Sequence, residues 1–297
     1  MMRGLTFIFF ACIFMLASCR SSRIALQSLD KQIRNELSGQ KGIFAVAFKD
    51  LSTGREVLIN DTVLFHAAST MKTPVLIEVY KQAAEGKFSL SDSVEIKNEF
   101  KSIVDGSMYR LDSADDSETE LYKHIGEKRT VSALVYQMII VSSNLATNLI
   151  MELVNARNVT QTMRDLGTKY MQVLRGVEDG KAFEKGLNNT TTAYDLMVLF
   201  EKIAKEKTVS PAASRSMTGI LLDQHFNEII PAGLPAGVRV AHKTGSITGV
   251  QHDSGIVFLP DGRKYVLVLL SKNLDNEKSA IYAMANVSAM IYRYVTK

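Results

Sequence analysis

Cysteine is nearly absent from this sequence, which has only Cys12 and Cys19 among its 297 residues. Both lie in the first twenty residues, so the rest of the chain has no thiol that could act as a nucleophile or bind a metal ion. It also has no pair of cysteines that could form a disulfide, and a domain of this length does not require one. Hydrophobic residues make up 46% of the chain, which is ordinary for a globular protein.

A strong charge of one sign is also absent. The formal net charge is +4, and Lys and Arg are scattered among acidic residues. A nucleic-acid binder more often clusters its positive charge, so we expect no nucleic-acid partner. The five histidines show no spacing typical of zinc sites, and we expect neither a metal nor a cofactor. Nothing in the sequence demands an oligomer, and we expect a monomer.

The apolar run at the N-terminus, Leu5 to Leu16, is shorter than the about 20 residues that a transmembrane helix needs. It follows Arg3 and precedes Leu16-Ala17-Ser18-Cys19, which is the pattern of a secretory signal. An uncleaved anchor and an ordinary cleaved signal are the alternatives. We favour a lipoprotein signal over residues 1–18, because Leu-Ala-Ser-Cys resembles the lipobox of bacterial lipoproteins. Cys19 would then carry lipid and residues 19–27 would form a tether, so we expect an exported protein that is lipid-anchored to a bacterial membrane and faces the periplasm or the cell exterior.

Helical periodicity, apolar runs and turn residues predict a series of elements along the chain. In order they are a helix over Ser28–Ser38, a β-hairpin of Ile43–Phe48 and Val57–Ile59, a helix over Val75–Ala84, two helices within Val131–Val154 separated by Ser142-Ser143-Asn144, a helix over Ala193–Ala204, strands over Val238–His242, Gly255–Leu259 and Tyr265–Leu270, and a helix over Lys278–Val295. Residues 166–192 have no clear period and hold several glycines, so we expect a long ordered loop that carries function.

Strands at both ends of the chain with helices between them predict an α+β fold. We expect an antiparallel sheet that is flanked by the N- and C-terminal helices and carries an inserted all-α part. The α/β part would comprise about residues 28–66 and 216–297, and the all-α part about residues 67–215.

Ser69-Thr70-Met71-Lys72 is the first candidate for chemistry. Ser69 and Lys72 are three residues apart and therefore share one face of a helical turn. A serine at the start of a helix lies near backbone N–H donors that can stabilise an oxyanion, and a neutral lysine can accept the serine proton. The spacing alone is a weak signal, because Ser28-Leu29-Asp30-Lys31 has it by chance.

Two further motifs have the residue types that acyl transfer needs. In Ser142-Ser143-Asn144, a serine can relay a proton and an asparagine amide can hold a substrate carbonyl, although the same residues could simply cap a helix. In Lys243-Thr244-Gly245, which follows a predicted strand, Lys and Thr can bind a carboxylate and Gly permits close approach to the backbone. The alternative there is a plain strand end with a turn.

In this order the three motifs resemble those of class A β-lactamases and penicillin-binding proteins. The resemblance runs from the hairpin turn at residues 50–54 to the C-terminal helix and includes Thr190-Thr191-Thr192. It implies that Ser69 is acylated with the help of Lys72, and that Ser142 passes a proton to the departing lactam nitrogen. It also implies how the substrate is bound. Asn144 would contact the substrate side chain, and the backbone N–H groups of Ser69 and Ser246 would form an oxyanion hole. The substrate carboxylate would be held by Lys243, Thr244 and Ser246, next to Gly245.

The sequence departs from the class A pattern in two places. Ser143 stands where these enzymes typically carry Asp, so a hydrogen-bond network at that point must be rebuilt. The second departure concerns the loop glutamate that activates the hydrolytic water. Glu178 has the expected distance from Leu166-Gly167, whereas Glu184 better matches the Glu-x-x-Leu-Asn pattern of the family. We prefer Glu178 and keep Glu184 as the alternative.

The loop differs from the class A pattern in its brace as well. An Arg–Asp ion pair usually holds this loop, and the resemblance suggests Arg175 with Asn189 in its place. The acidic stretch Asp112–Glu120 lacks the pattern of a calcium loop, and we interpret it as a solvated loop or a helix start.

The resemblance implies a serine β-lactamase that needs no cofactor and acts on a small-molecule β-lactam. A D-Ala-D-Ala peptidase or transpeptidase of the same fold is the first alternative, and a non-catalytic sensor lipoprotein that β-lactams merely acylate is the second.

Overall fold

The computed structural model describes residues 24–297, so the predicted signal peptide and Cys19 lie outside the described residues. The helices are α1 (residues 24–38), α2 (Lys72–Ala84), α3 (Val131–Ile140), α4 (Asn144–Val154), α5 (Ala156–Asp165), α6 (Gly180–Glu184), α7 (Ala193–Ala204), α8 (Pro211–Leu222) and α9 (Glu277–Val295). The strands are β1 (Ile43–Asp50), β2 (Glu56–Ile59), β3 (Phe65–His66), β4 (Ser93–Glu95), β5 (Phe100–Lys101), β6 (Met108–Tyr109), β7 (Lys128–Thr130), β8 (Thr190–Thr191), β9 (Arg239–Ile247), β10 (Val250–Phe258) and β11 (Lys264–Lys272).

The main sheet has five strands in the order β2-β1-β11-β10-β9. All its pairs are antiparallel, and β11 from the end of the chain pairs with β1 from its beginning. The predicted α+β fold, with an antiparallel sheet built from both chain ends, is therefore confirmed. Asp50 stabilises the turn between β1 and β2, because its carboxylate accepts hydrogen bonds from Ser52 N and from Thr53 Oγ1, both at 2.8 Å.

Both faces of the sheet are buried, which explains why β11 is a continuous apolar run. Side chains alternate between the two faces of a strand. Tyr265, Leu267 and Leu269 of β11 pack in one core with residues of α1 and α9. Val266, Val268 and Leu270 pack in the second core, which contains most of the buried residues of the helical part.

The helical part lies between β3 and β9 and is built around α2. Seven consecutive residues of this helix, from Lys72 to Glu78, are buried. The break predicted within Val131–Val154 is present, since α3 ends at Ile140 and α4 begins at Asn144. The expected boundary between the two parts at residues 215/216 falls within α8.

Several elements differ from the sequence predictions. Helix α1 already includes residues 24–27, which were assigned to the tether. Strand β9 does not end at His242 but continues to Ile247, because its ladder with β10 extends to the pair Ile247–Val250. Helices α5 and α8 were not predicted, and the 166–192 loop contains the short helix α6. Over residues 24–297, no helix combines the length and apolar character that crossing a membrane would require.

Candidate active site

Ser69 lies where a 3-10 helix, Ala68–Met71, leads into α2. Ala68 has a positive φ of 44°, which turns the chain sharply just before the serine. Strand β9 approaches this turn closely, since a Cβ on Gly245 would lie 3.1 Å from both Ser69 N and Thr70 N. Glycine at position 245 therefore brings the strand backbone next to the N–H groups at the start of the helix, with Ser69 and Ser246 lining the same cleft of about 380 Å³.

Lys72 is completely buried one helical turn beyond Ser69. Its Nζ donates hydrogen bonds to Ser142 O at 2.6 Å, to Ser142 Oγ at 3.0 Å and to Asn144 Oδ1 at 2.9 Å. These three acceptors use all three N–H donors of an ammonium group. Burial lowers the pKa of Lys72 to about 7, against the opposing effect of Asp116 and Glu178. A neutral Lys72 is therefore well populated near neutral pH and could accept a proton.

Ser142 lies between two buried amines. It occupies the break between α3 and α4 with a positive φ of 58°. Its Oγ accepts hydrogen bonds from Lys72 Nζ and also from Lys243 Nζ, the latter at 3.1 Å. Burial, and then the neighbouring Lys72, hold the pKa of Lys243 well below its usual value. The structure thus brings the three sequence motifs together at one hydroxyl group.

The end of the cleft near β9 and β10 has two polar residues that the sequence motifs did not include. Gln251 Nε2 donates hydrogen bonds to Ser246 Oγ at 2.9 Å and to Glu277 Oε2 at 2.8 Å. The other oxygen of Glu277 accepts from Gly249 N at 2.7 Å. Gln251 therefore orients the Ser246 hydroxyl beside Thr244 in the cleft. No short motif marks Gln251, because its partner Glu277 lies 26 residues further along the chain.

The two candidate glutamates of the 166–192 loop have different surroundings. Glu178 Oε1 accepts a hydrogen bond of 2.6 Å from Asn144 Nδ2, and Asn144 Oδ1 in turn accepts from Lys72. The Glu178 side chain is exposed to solvent, yet the atoms packed around its carboxyl group raise its pKa. Glu184 is exposed on α6. Of the two, it is Glu178 that lies within the hydrogen-bond cluster of Lys72 and Asn144.

The backbone next to Glu178 is held by Asn148 of α4. Asn148 Oδ1 accepts from Val177 N at 2.7 Å, and its Nδ2 donates to Val177 O at 3.1 Å. A Cβ on Gly176 would lie only 2.2 Å from Asn148 Oδ1, so glycine makes this contact possible. These two bonds fix the backbone just before Glu178, which has a positive φ of 61° and whose side chain reaches Asn144.

The brace of the loop is only partly the predicted one. Asn189 Oδ1 accepts from Arg175 N at 3.2 Å, and Asn189 Nδ2 donates to Arg175 O at 2.9 Å, so this pair meets through the backbone of Arg175. The Arg175 guanidinium instead donates to Leu187 O at 2.9 Å and to Asn188 Oδ1 at 3.1 Å. The acceptors of this guanidinium are therefore amide and carbonyl oxygens, and Asn189 contributes through the backbone of Arg175.

The hairpin of β5 and β6 also contacts the 166–192 loop next to Glu178. Asp179, next to Glu178, is 1% exposed, and its carboxylate accepts from Ser102 Oγ and Ile103 N, both at 2.9 Å. Tyr109 OH of the same hairpin donates to Val177 O at 3.2 Å. The hairpin therefore fixes both neighbours of Glu178, a role that the sequence did not reveal.

The acidic stretch Asp112–Glu120 contains one residue that is not solvated. Asp116 is only 8% exposed, and its carboxylate accepts hydrogen bonds at the N-terminus of α4. The interpretation of this stretch as a solvated loop is wrong at Asp116. The buried carboxylate is compensated by charge-assisted bonds to backbone N–H groups.

This arrangement can support acyl transfer to a serine. Ser69 lies at a helix start and lines one cleft with Ser142 and Asn144. The Ser142 and Asn144 side chains contact two buried amines of low pKa and a carboxylate, which are the groups that acyl transfer needs. On an α+β scaffold with this strand order, the three motifs define a serine hydrolase of the penicillin-recognising class.

Comparisons with known proteins agree. A model of the β-lactamase enzyme family matches residues 28–295, and the chain belongs to this family. It is 24% identical to the extended-spectrum β-lactamase PER-1 of Pseudomonas aeruginosa, over 91% of this chain and 88% of that protein. A β-lactamase of Bacteroides uniformis is 26% identical over 96% of this chain and 98% of that protein.

Solved structures show the same fold. The structure of PBP-A matches with a TM-score of 0.77 and 26% identity, covering 91% of this chain and 96% of that one. A β-lactamase from Chitinophaga pinensis matches with a TM-score of 0.79 and 22% identity, covering 90% of this chain and 99% of that one.

Proposed function

We propose that this protein is a class A-like serine β-lactamase, which hydrolyses the β-lactam amide through an acyl-enzyme on Ser69. The observation that carries the proposal is the hydrogen bond of 2.6 Å from Asn144 Nδ2 to Glu178 Oε1. It places a carboxylate of raised pKa in the same cluster as Lys72, where it can activate a water molecule.

In the acylation step, neutral Lys72 accepts the proton of Ser69 Oγ as the oxygen attacks the lactam carbonyl carbon. The N–H groups of Ser69 and Ser246 stabilise the oxyanion. The C–N bond then breaks, and Ser142 donates its proton to the nitrogen. Ser142 recovers a proton from the amines that contact its oxygen, Lys72 and Lys243.

In the deacylation step, Glu178 removes a proton from water, and the water oxygen attacks the ester carbonyl carbon. The ester C–O bond then breaks, and the proton passes from Glu178 to the departing Ser69 Oγ, which restores both groups. Lys243, Thr244 and Ser246 bind the substrate carboxylate during both steps, with Gln251 orienting the hydroxyl of Ser246. Asn144 contacts the substrate side chain and also lies between Lys72 and Glu178, with a hydrogen bond to each.

The test is nitrocefin turnover by the chain without residues 1–19, compared with Glu178→Gln and Glu184→Gln. We expect multiple turnovers in the parent and in Glu184→Gln, and a trapped acyl-enzyme in Glu178→Gln, which mass spectrometry would detect on Ser69. Glu184 is a matched control because it is a glutamate of the same loop that is exposed on α6.

A second candidate, a penicillin-binding protein with peptidase activity, is favoured by one comparison. The acyl-enzyme complex of a PBP-A variant with penicillin G has a TM-score of 0.78 and 26% identity over 91% of this chain and 97% of that one. A single stoichiometric burst from the parent, followed by no further product, would replace the β-lactamase proposal with this one.

We also propose that the protein is exported and lipid-anchored through Cys19, facing the periplasm or the cell exterior. The support is the Leu16-Ala17-Ser18-Cys19 pattern. Metabolic labelling with a fatty-acid analogue, compared between the native chain and Cys19→Ser, tests this point. Equal labelling of both chains would contradict it.

A further inference from the structure

A buried carboxylate outside the three motifs lies against the catalytic cluster. Asp116 belongs to the loop that precedes the short 3-10 helix Glu120–His124. Both of its oxygens accept from Asn144 N, at 3.0 and 2.9 Å, and Oδ2 also accepts from Leu145 N at 3.0 Å. Tyr122 OH donates a hydrogen bond of 2.8 Å to Oδ2, and Glu118 N donates one of 3.2 Å to Oδ1. The carboxylate therefore holds the first turn of α4, where a negative charge also interacts favourably with the helix dipole.

Asp116 holds the backbone of Asn144, and the side chain of Asn144 links two catalytic groups, Lys72 and Glu178. Asn144 Oδ1 accepts from Lys72 Nζ at 2.9 Å, and Asn144 Nδ2 donates to Glu178 Oε1 at 2.6 Å. The amide group can form both bonds only in one orientation. Because Asn144 is the first residue of α4, the position of this amide depends on the position of the helix start. A shift of this helix end would break one or both bonds.

Ser143 cannot replace the charge of Asp116. Its hydroxyl accepts from Ala146 N at 3.2 Å, which is an ordinary helix cap, and its side chain is completely buried. Charged groups face Lys72 from three elements, namely Asp116 from its loop, Glu178 from the 166–192 loop and Lys243 from β9. The two carboxylates raise the pKa of Lys72, and burial opposes them with the larger effect.

We propose that Asp116 is a positioning residue for the acylation of Ser69. Through the N-terminus of α4 it holds the Asn144 amide between Lys72 and Glu178, and its charge acts on Lys72. The proposal rests on the function proposed above. It concerns acylation alone, which precedes deacylation and can be measured as a burst even if turnover is absent, so the two proposals fail separately.

The experiment measures the single-turnover acylation rate of the full-length chain with nitrocefin as a function of pH, with folding checked by circular dichroism. For Asp116→Asn we expect the midpoint of the profile to move to lower pH by about one unit, because a lost negative charge no longer favours protonated Lys72. The plateau rate should fall at least about tenfold, because the Asn144 amide loses its support. Asp112→Asn removes an exposed carboxylate from the same loop and should leave the midpoint unchanged.

A second variant tests the charge in the opposite direction and does not depend on the folding of Asp116→Asn. Ser143→Asp adds a carboxylate at the same end of α4, so the midpoint should move to higher pH. Tyr122→Phe keeps the charge of Asp116 and should lower the rate without moving the midpoint. An unchanged midpoint in both Asp116→Asn and Ser143→Asp, or an equal shift in Asp112→Asn, would overturn the proposal.

Discussion

The burial of Lys72 makes a quantitative prediction about the pH dependence of acylation. Burial lowers the pKa of this amine to about 7. The form that can accept the Ser69 proton is the neutral one, which predominates above the pKa. The acylation rate should therefore rise with pH and level off once Lys72 is deprotonated.

The size of the effect follows from the titration of one group. With a pKa of about 7, the neutral fraction of Lys72 is about one tenth at pH 6 and about nine tenths at pH 8. We expect the acylation rate constant to increase roughly tenfold over this interval. Stopped-flow absorbance with excess enzyme and nitrocefin isolates this step, because each enzyme molecule reacts once at most.

Two variants separate Lys72 from Glu178 as the group that sets the midpoint. Glu178→Gln should still acylate, with a midpoint at lower pH, because the carboxylate that favours protonated Lys72 is gone. Lys72→Met should reduce acylation by about 10²- to 10⁴-fold at every pH. A native profile that is flat between about pH 5.5 and 8.5, or that rises only above about pH 9, would refute the assignment of Lys72 as the base.

Three further predictions concern packing around the site. Gly176→Ala should slow deacylation more than acylation, because the new Cβ displaces Asn148 from Val177; equal slowing of both would contradict this. Asp179→Ala should lower the free energy of unfolding by about 1–3 kcal/mol in urea titrations, since it leaves the buried Ser102 hydroxyl and the Ile103 N–H without their acceptor. Glu78→Met should raise the free energy of unfolding by about 1 kcal/mol, because it removes Glu78 Oε2, which is buried without a hydrogen-bond partner among the described residues, while Gln82 keeps its bond to Val154 O. A lower melting temperature of the variant would count against this reasoning.

Local patterns were sufficient to predict most of the elements. Helix α7 has the predicted bounds, and α9 begins one residue before its predicted start. Such elements are encoded by periodicity within a short window, because one face of each packs on a core. Helix α5 has no clear sequence signal, because its mostly polar composition hides an apolar stripe. Its Val159 and Met163 are buried in the same core as residues of α2.

The sequence by itself determined which residues are candidates for the chemistry, because Ser69, Lys72, Ser142 and Lys243 lie in short motifs whose spacing is local. Only the tertiary structure decided which glutamate joins them and which carboxylate supports them. Glu178 and Asp116 reach Asn144 across 34 and 28 residues of chain, respectively. Contacts of that range depend on how loops pack on α4, and loop packing leaves no periodic signal in the sequence.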